Sequence, residues 1–213
     1  MRISQTDRLT ALLALAVSLL FSGSLFADSV KTISRTIDIA LASSVEIEAS
    51  VAEMDIEFYD GELIELEIEV EAERNWLSWR RGNVDDVELK VNSGDENIYL
   101  GIPDRKIQQH WRVRMPASLA VAISVGVGDL DLKNLSNNLE MDVGVGSVRV
   151  TIGDANYGMI RASSGVGDSS IRGFGHETDN ERSFVSSDSY YHGSGELEVN
   201  IEVGVGDTVV RRR

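Results

Sequence analysis

Five times along this 213-residue chain a row of alternating apolar residues ends at a valine, slips by one position across small or polar residues, and resumes in the opposite phase. The copies centre on Val51, Val127, Val145, Val166 and Val205. Around Val127 the row runs Leu119, Val121, Ile123, Val125 and Val127, then Leu130 and Leu132. Leu139, Met141, Val143 and Val145 pass in the same way to Val148, Val150 and Ile152, and Leu197 to Val205 pass to Thr208 and Val210. Val45, Ile47, Ala49 and Val51 pass to Met54, Ile56 and Phe58, and a weaker copy runs from Ile160, Ala162, Ser164 and Val166 to Ser169 and Ile171. Side chains of a strand alternate between two faces, so such a slip without a bend turns the second half of each unit into water. A corner or bulge is needed at each slip, and Gly126/Gly128, Gly144/Gly146, Gly165/Gly167 and Gly204/Gly206 supply the backbone freedom for it at four of the five.

No single bent unit buries its apolar row alone, and near-constant spacing is the mark of units stacked on one another. The expected fold is therefore all-β, a single-stack β-solenoid of the β-helix or β-roll kind, with a more irregular N-terminal sheet region capping it. Val127, Val145 and Val166 are spaced by 18 and 21 residues, whereas Val166 and Val205 are 39 apart, close to two periods. That interval predicts a degenerate coil near residues 184–191, with 173–182 as a surface loop. In the first half, residues 63–72 alternate strictly: Ile64, Leu66, Ile68, Val70 and Ala72 against Glu65, Glu67, Glu69 and Glu71, a strand with one face buried and one in water.

Residues 1–27 read as a signal peptide: Arg2 and Arg8 begin it, residues 11–21 form an apolar core too short to span a bilayer, and Ala27 precedes the expected cut. Residues 28–213 are then one exported domain, with 28–116 as its sheet portion and 117–213 as its regular coils. The expected location is the periplasm or cell surface, with no stable membrane insertion after cleavage. The chain has no cysteine, which excludes disulfides, thiol nucleophiles and thiolate-bound metals. Its net charge of -15 repels nucleic acid and anionic lipid and favours cations or a basic partner.

Catalytic text is thin. His110, His176 and His192 lack metal-ligand spacing, and Ser194 in a His-Gly-Ser-Gly context is not a nucleophile elbow. No catalytic residue is assigned, and the chain is expected to be a non-enzyme without a cofactor. Two binding patterns remain. Trp76, Trp79, Arg80 and Arg81 suit an aromatic platform with a basic rim for a glycan or an envelope protein, and Tyr190 and Tyr191 a second contact tip. Asp129, Asp168 and Asp207, with Glu53 and Ser147 in the equivalent place, recur just after the slip; in register they make a carboxylate column suited to Ca2+, the alternative β-roll reading. The plainer reading is that each carboxylate accepts a nearby backbone hydrogen bond. A carbohydrate-active enzyme on a β-helix is a further alternative.

The run Val125-Gly-Val-Gly-Asp-Leu-Asp-Leu132, its echoes at 143–150 and 203–210, the lead-in Trp111-Arg-Val-Arg-Met-Pro116 and the export-type N-terminus together resemble the putative-adhesin family of bacterial exported β-solenoid proteins. The resemblance covers roughly residues 29–213. It implies a non-catalytic structural or interaction module of the cell envelope and carries over no catalytic residues.

Overall fold

The computed structural model describes residues 30–72, 84–94, 96–175, 178–183 and 185–213. All regular structure among them is β. The strands are β1 (Val30–Asp38), β2 (Ser44–Tyr59), β3 (Leu63–Ala72), β4 (Lys90–Ser93), β5 (Asn97–Ile102), β6 (Ile107–Pro116), β7 (Ala120–Val127) and β8 (Leu130–Leu135). They continue as β9 (Leu139–Val145), β10 (Val148–Ile152), β11 (Tyr157–Val166), β12 (Ser169–Arg172), β13 (Thr178–Arg182), β14 (Ser187–His192), β15 (Leu197–Val205) and β16 (Thr208–Arg212).

Each slipped unit forms one rung of two strand segments that meet at the corner. The first half joins one sheet and the second half joins another, so the inward rows of both halves face each other. This is how the phase change is resolved: Val121, Ile123 and Val125 are buried before the corner, Leu130 and Leu132 after it. Six rungs stack with parallel neighbours. On one side the order is β5, the first half of β2, β7, β9, β15 and β11. On the other it is β6, the second half of β2, β8, β10, β16 and β12. Antiparallel strands finish the ends: β3 and then β1 extend the sheet beyond β6, β4 flanks β5, and the β13–β14 hairpin lies against β11. Val84 and Val87 are buried near the β1 end, and Lys31 Nζ ties that segment down through the carbonyls of Asp85 and Val87 at 2.7 and 2.8 Å.

The core is one continuous hydrocarbon layer between the two sheets. Each Val, Leu or Ile buried in it contributes about 1.5–3 kcal/mol. At the β5–β6 end Trp111 is fully buried; its Nε1–H donates to Gln109 Oε1 at 2.9 Å, and Gln109 Nε2 donates to the Ile102 carbonyl at 2.9 Å. At the hairpin end the interior changes character. Ser164, Ser169, Ser187, Ser189 and Thr208 are buried there, and Ser169 Oγ lies 3.0 Å from the hydroxyls of both Ser187 and Ser189.

The all-β expectation holds, but stacking in chain order does not. The Val205 rung lies between the Val145 and Val166 rungs: β15 pairs with β9 and β11, and β16 with β10 and β12. The strength of the apolar rows accounts for this. Val199, Ile201 and Val203 match Leu139, Met141 and Val143 and take an interior place, whereas Ala162, Ser164 and Ser169 fit beside the hydroxyl-lined end. Residues 187–192 form no degenerate coil either. They are β14, antiparallel to β11, because Ser187 and Ser189 offer hydroxyls rather than hydrocarbon to the interior. Within 173–182, the expected loop, residues 178–182 form β13.

Candidate interaction surfaces

The turn after each corner valine brings the rungs into backbone contact. The amides of Gly128, Gly146 and Gly206 donate to the carbonyls of Val145, Val205 and Val166, each at 2.9 Å, and Gly167 donates to Val185 at 3.1 Å. The second glycine of each pair therefore has a steric task beyond its turn. A Cβ on Gly146, at φ 151°, falls inside the van der Waals radius of the Gly128 carbonyl oxygen, and one on Gly206 meets Gly146 in the same way. Gly126, Gly144, Gly165 and Gly204 each face the backbone of a neighbouring rung.

The expected aspartate column is broken at its middle by Ser147, and its carboxylates reach the next rung instead of their own turn. Asp129 Oδ1 accepts the Ser147 amide and Asp207 Oδ1 accepts the Asp168 amide, both at 2.9 Å, while Asp168 pairs with Arg182. A carboxylate held by a backbone amide already has the partner that a turn aspartate needs. Among the described residues no group of three or more acidic, histidine or cysteine side chains is arranged to hold a metal ion.

Trp76, Trp79, Arg80 and Arg81 lie outside the described residues. Tyr191 is not a contact tip. It is buried with its ring 4.6 Å from that of Phe174, because β14 turns odd-numbered residues inward. Tyr190 is half-buried on the outer face of the same strand, opposite Arg161 and stacked on His192 with the ring centres 6.5 Å apart. His110 faces two carboxylates, Nδ1 3.9 Å from Glu53 and Nε2 3.5 Å from Asp55.

Sequence reasoning missed the charge pattern on the outer faces, since it depends on register between distant strands. Pairing of β3 with β6 sets the glutamates of one strand against the arginines of the other. Arg112 Nη1 bridges Glu67 and Glu69 at 2.9 and 3.0 Å; Arg114 Nη1 reaches Glu65 at 2.9 Å and its guanidinium lies 4.4 Å from the centre of the Tyr59 ring. Arg112, Arg114, Glu65 and Glu67, with Arg35, Glu57 and Lys133, line a groove of about 670 Å³. The hydrogen bond to Glu69 raises the Arg112 pKa further above its ordinary value.

The outer face of the other sheet is acidic. Glu46 and Glu48 on β2, Glu140 and Asp142 on β9, and Glu198 and Glu202 on β15 share it with Arg161, which pairs with Glu202 at 2.9 Å. Tyr99 OH donates to Glu48 at 2.7 Å, and this bond, with some desolvation and repulsion from Glu48 and Glu46, pushes its pKa up to about 12. A free tyrosine titrates near about 10. Folding thus holds the proton more tightly, and the stabilisation is complete below about pH 10 and lost as pH rises through about 12. In Glu48→Gln, NMR titration of the Tyr99 ring is expected to show its midpoint moving down toward the free value; an unmoved midpoint refutes the assignment.

The fold and these surfaces define an all-β, two-sheet body of stacked rungs whose described chemistry lies on its exterior. The sequence matches the family described as the N-terminal domain of toast_rack, DUF2154, over residues 27–172, and the chain belongs to that family. The match ends with β12, so the hairpin and the inserted C-terminal rung follow it. Among curated proteins nothing matches. Of solved structures, a putative cell adhesion protein from Clostridium sporogenes is similar at 15% identity and a TM-score of 0.57, covering 86% of this chain and all of that one. Putative adhesins from Parabacteroides merdae (12% identity, TM-score 0.29, 86% of this chain and 82% of that one) and Parabacteroides distasonis (8%, 0.25, 85% and 97%) also match. The Clostridium likeness establishes a shared fold and agrees with the resemblance read from the sequence. No helix among the described residues is long and apolar enough to cross a membrane.

Proposed function

We propose that the protein is a non-catalytic interaction module of the cell envelope, exported to the periplasm or surface, whose stacked rungs act as a solenoid-like body holding its outer faces toward an envelope protein or glycan. The observation that carries this reading is the distribution of its chemistry. The interior between the sheets is hydrocarbon with a hydroxyl-lined end, and the described charged groups are on outer faces and corners. Membership of the toast_rack N-terminal family and the shared fold with a protein named for cell adhesion support it. The test is fractionation of cells carrying a tagged copy, followed by crosslinking in intact cells. The expected result is recovery in the envelope or outside the cell, crosslinked to an envelope component. Recovery in the cytosol alone, or depolymerisation of a polysaccharide by the purified protein, overturns the reading.

A further inference from the structure

Four of the five corner valines, expected to close the inward rows, are exposed instead. The rows end one step earlier, at Val125, Val143 and Val203; Val127, Val145, Val166 and Val205 are exposed and Val51 is half-buried. Register places them in one column: Val51 beside Val127, Val127 beside Val145, Val145 beside Val205, and Val205 beside Val166. The hydrogen bond from Gly167 to the Val185 carbonyl extends the column by one more valine. Val127, Val145, Val205, Val166 and Val185 are each between 46% and 61% exposed. At about 4.8 Å per rung the six span about 24 Å. Scattered exposed valines are unremarkable, but an aligned row of them across successive rungs is a contiguous apolar strip.

The surroundings of the strip select its occupant. Asp129, Asp207 and Asp168 lie two residues beyond the valines, Asp168 paired with Arg182, and Asp142 and Glu202 lie three residues before them in sequence, Glu202 paired with Arg161. At the Val51 end the strip opens into a cleft of about 430 Å³ that also carries Glu53, Glu69 and Glu71. Among the described residues neither Glu53 nor Glu71 meets a lysine or arginine. An apolar strip between acidic margins repels a second copy of this chain, whose net charge is -15, and attracts a basic partner. Geometry selects its form. Side chains on one face of a strand repeat about every 6.8 Å, against about 4.8 Å for the valines, whereas a helix places a side chain on one face about every 5.4 Å.

We propose that the valine column is the docking strip for a basic amphipathic helix of a partner protein, about 16 residues long at 1.5 Å per residue. Its apolar face lies on Val127, Val145 and Val205, and its lysines or arginines face the flanking carboxylates, with one entering the cleft at Glu53 and Glu71. This rests on the interaction-module reading and gives it a surface and a partner chemistry.

The probe is a labelled synthetic 16-mer with leucines at helical spacing and lysines elsewhere, compared by fluorescence anisotropy with a scrambled isomer whose leucines ring the helix. The full chain at about 150 mM salt, where long-range attraction is screened, is expected to bind the amphipathic isomer at least about tenfold tighter than the scrambled one. The triple variant Val127→Thr, Val145→Thr, Val205→Thr keeps the branched shape and places its hydroxyls in water; it is expected to lose that preference. Independently of any variant, the methyl NMR signals of these three valines are expected to shift on adding the amphipathic peptide. Equal binding of the isomers, no binding, unshifted methyls, or a preference retained by the triple variant overturns the proposal. A valine-dependent dimer in sedimentation overturns it in favour of a second copy. None of these failures touches the envelope reading, which stands or falls on fractionation and crosslinking.

Discussion

Gly146→Ala is expected to lower the stability of the protein by about 4 kcal/mol or more, a size reserved for forced backbone clashes and similar disruptions. For a chain of this length that corresponds to a fall in melting temperature of roughly 8–16 °C. The cause is local and rigid. The added methyl falls on the Gly128 carbonyl oxygen, and the Gly146 amide that donates to Val205 fixes the backbone on the other side. Neither rung moves away without breaking pairs such as Val148 with Leu130 or Val148 with Thr208. Gly175→Ala separates this effect from the cost of left-handed backbone alone. Gly175 has φ 76° but nothing within 4 Å of a new Cβ, so only about 1–2 kcal/mol is expected there. Equal melting shifts for the two variants would show that conformation, and not rung-to-rung contact, demands glycine at the corners.

Trp111→Ala is expected to cost about 3–5 kcal/mol in urea unfolding, the usual range for emptying a large aromatic site. Two effects add. The indole is fully buried in the core between the two sheets, so its loss leaves a cavity that paired β2, β3 and β6 cannot close. Its removal also strips Gln109 Oε1, on a buried side chain, of its donor. Trp111→Phe separates the terms: it keeps most of the volume and leaves the amide oxygen unpaired, an expected cost of about 1–3 kcal/mol. A phenylalanine variant as unstable as the alanine one assigns the effect to the hydrogen bond.

The strand text of this chain was open to reading because alternation is a local property. Each slip is visible within ten residues of Val127 or Val145, and the glycines mark where the chain leaves one sheet for the other. What alternation does not encode is which side of a corner a residue ends on. Val125 and Val127 look alike in sequence, yet one is core and the other is exposed. Order in the stack is likewise a contest among rows far apart in sequence, decided by whether Ile201 and Val203 or Ala162 and Ser164 fill the interior better. The only local hint was the hydroxyl content of the Val166 unit. The paired charges of Arg112 and Arg114 with Glu65, Glu67 and Glu69 depended on the register of β3 against β6, some 45 residues apart, which no periodicity reports. Tyr191 was misplaced because a tyrosine near a turn offers no sign of which face its strand will bury.

The inserted position of the Val205 rung reaches into how the molecule is made. A chain emerging N-terminus first completes β9–β10 and β11–β12 while the slot between them is empty, and both flanks wait for residues 197–212. Until that last stretch arrives, two hydrogen-bonding margins lie bare, the kind that recruit strands from other molecules. Assembly of this half therefore resembles the closing of an arch, in which the final stone supports both sides, and a ribosome that stops some 15 residues early releases a chain whose β9–β10 and β11–β12 lack the strands that pair with both.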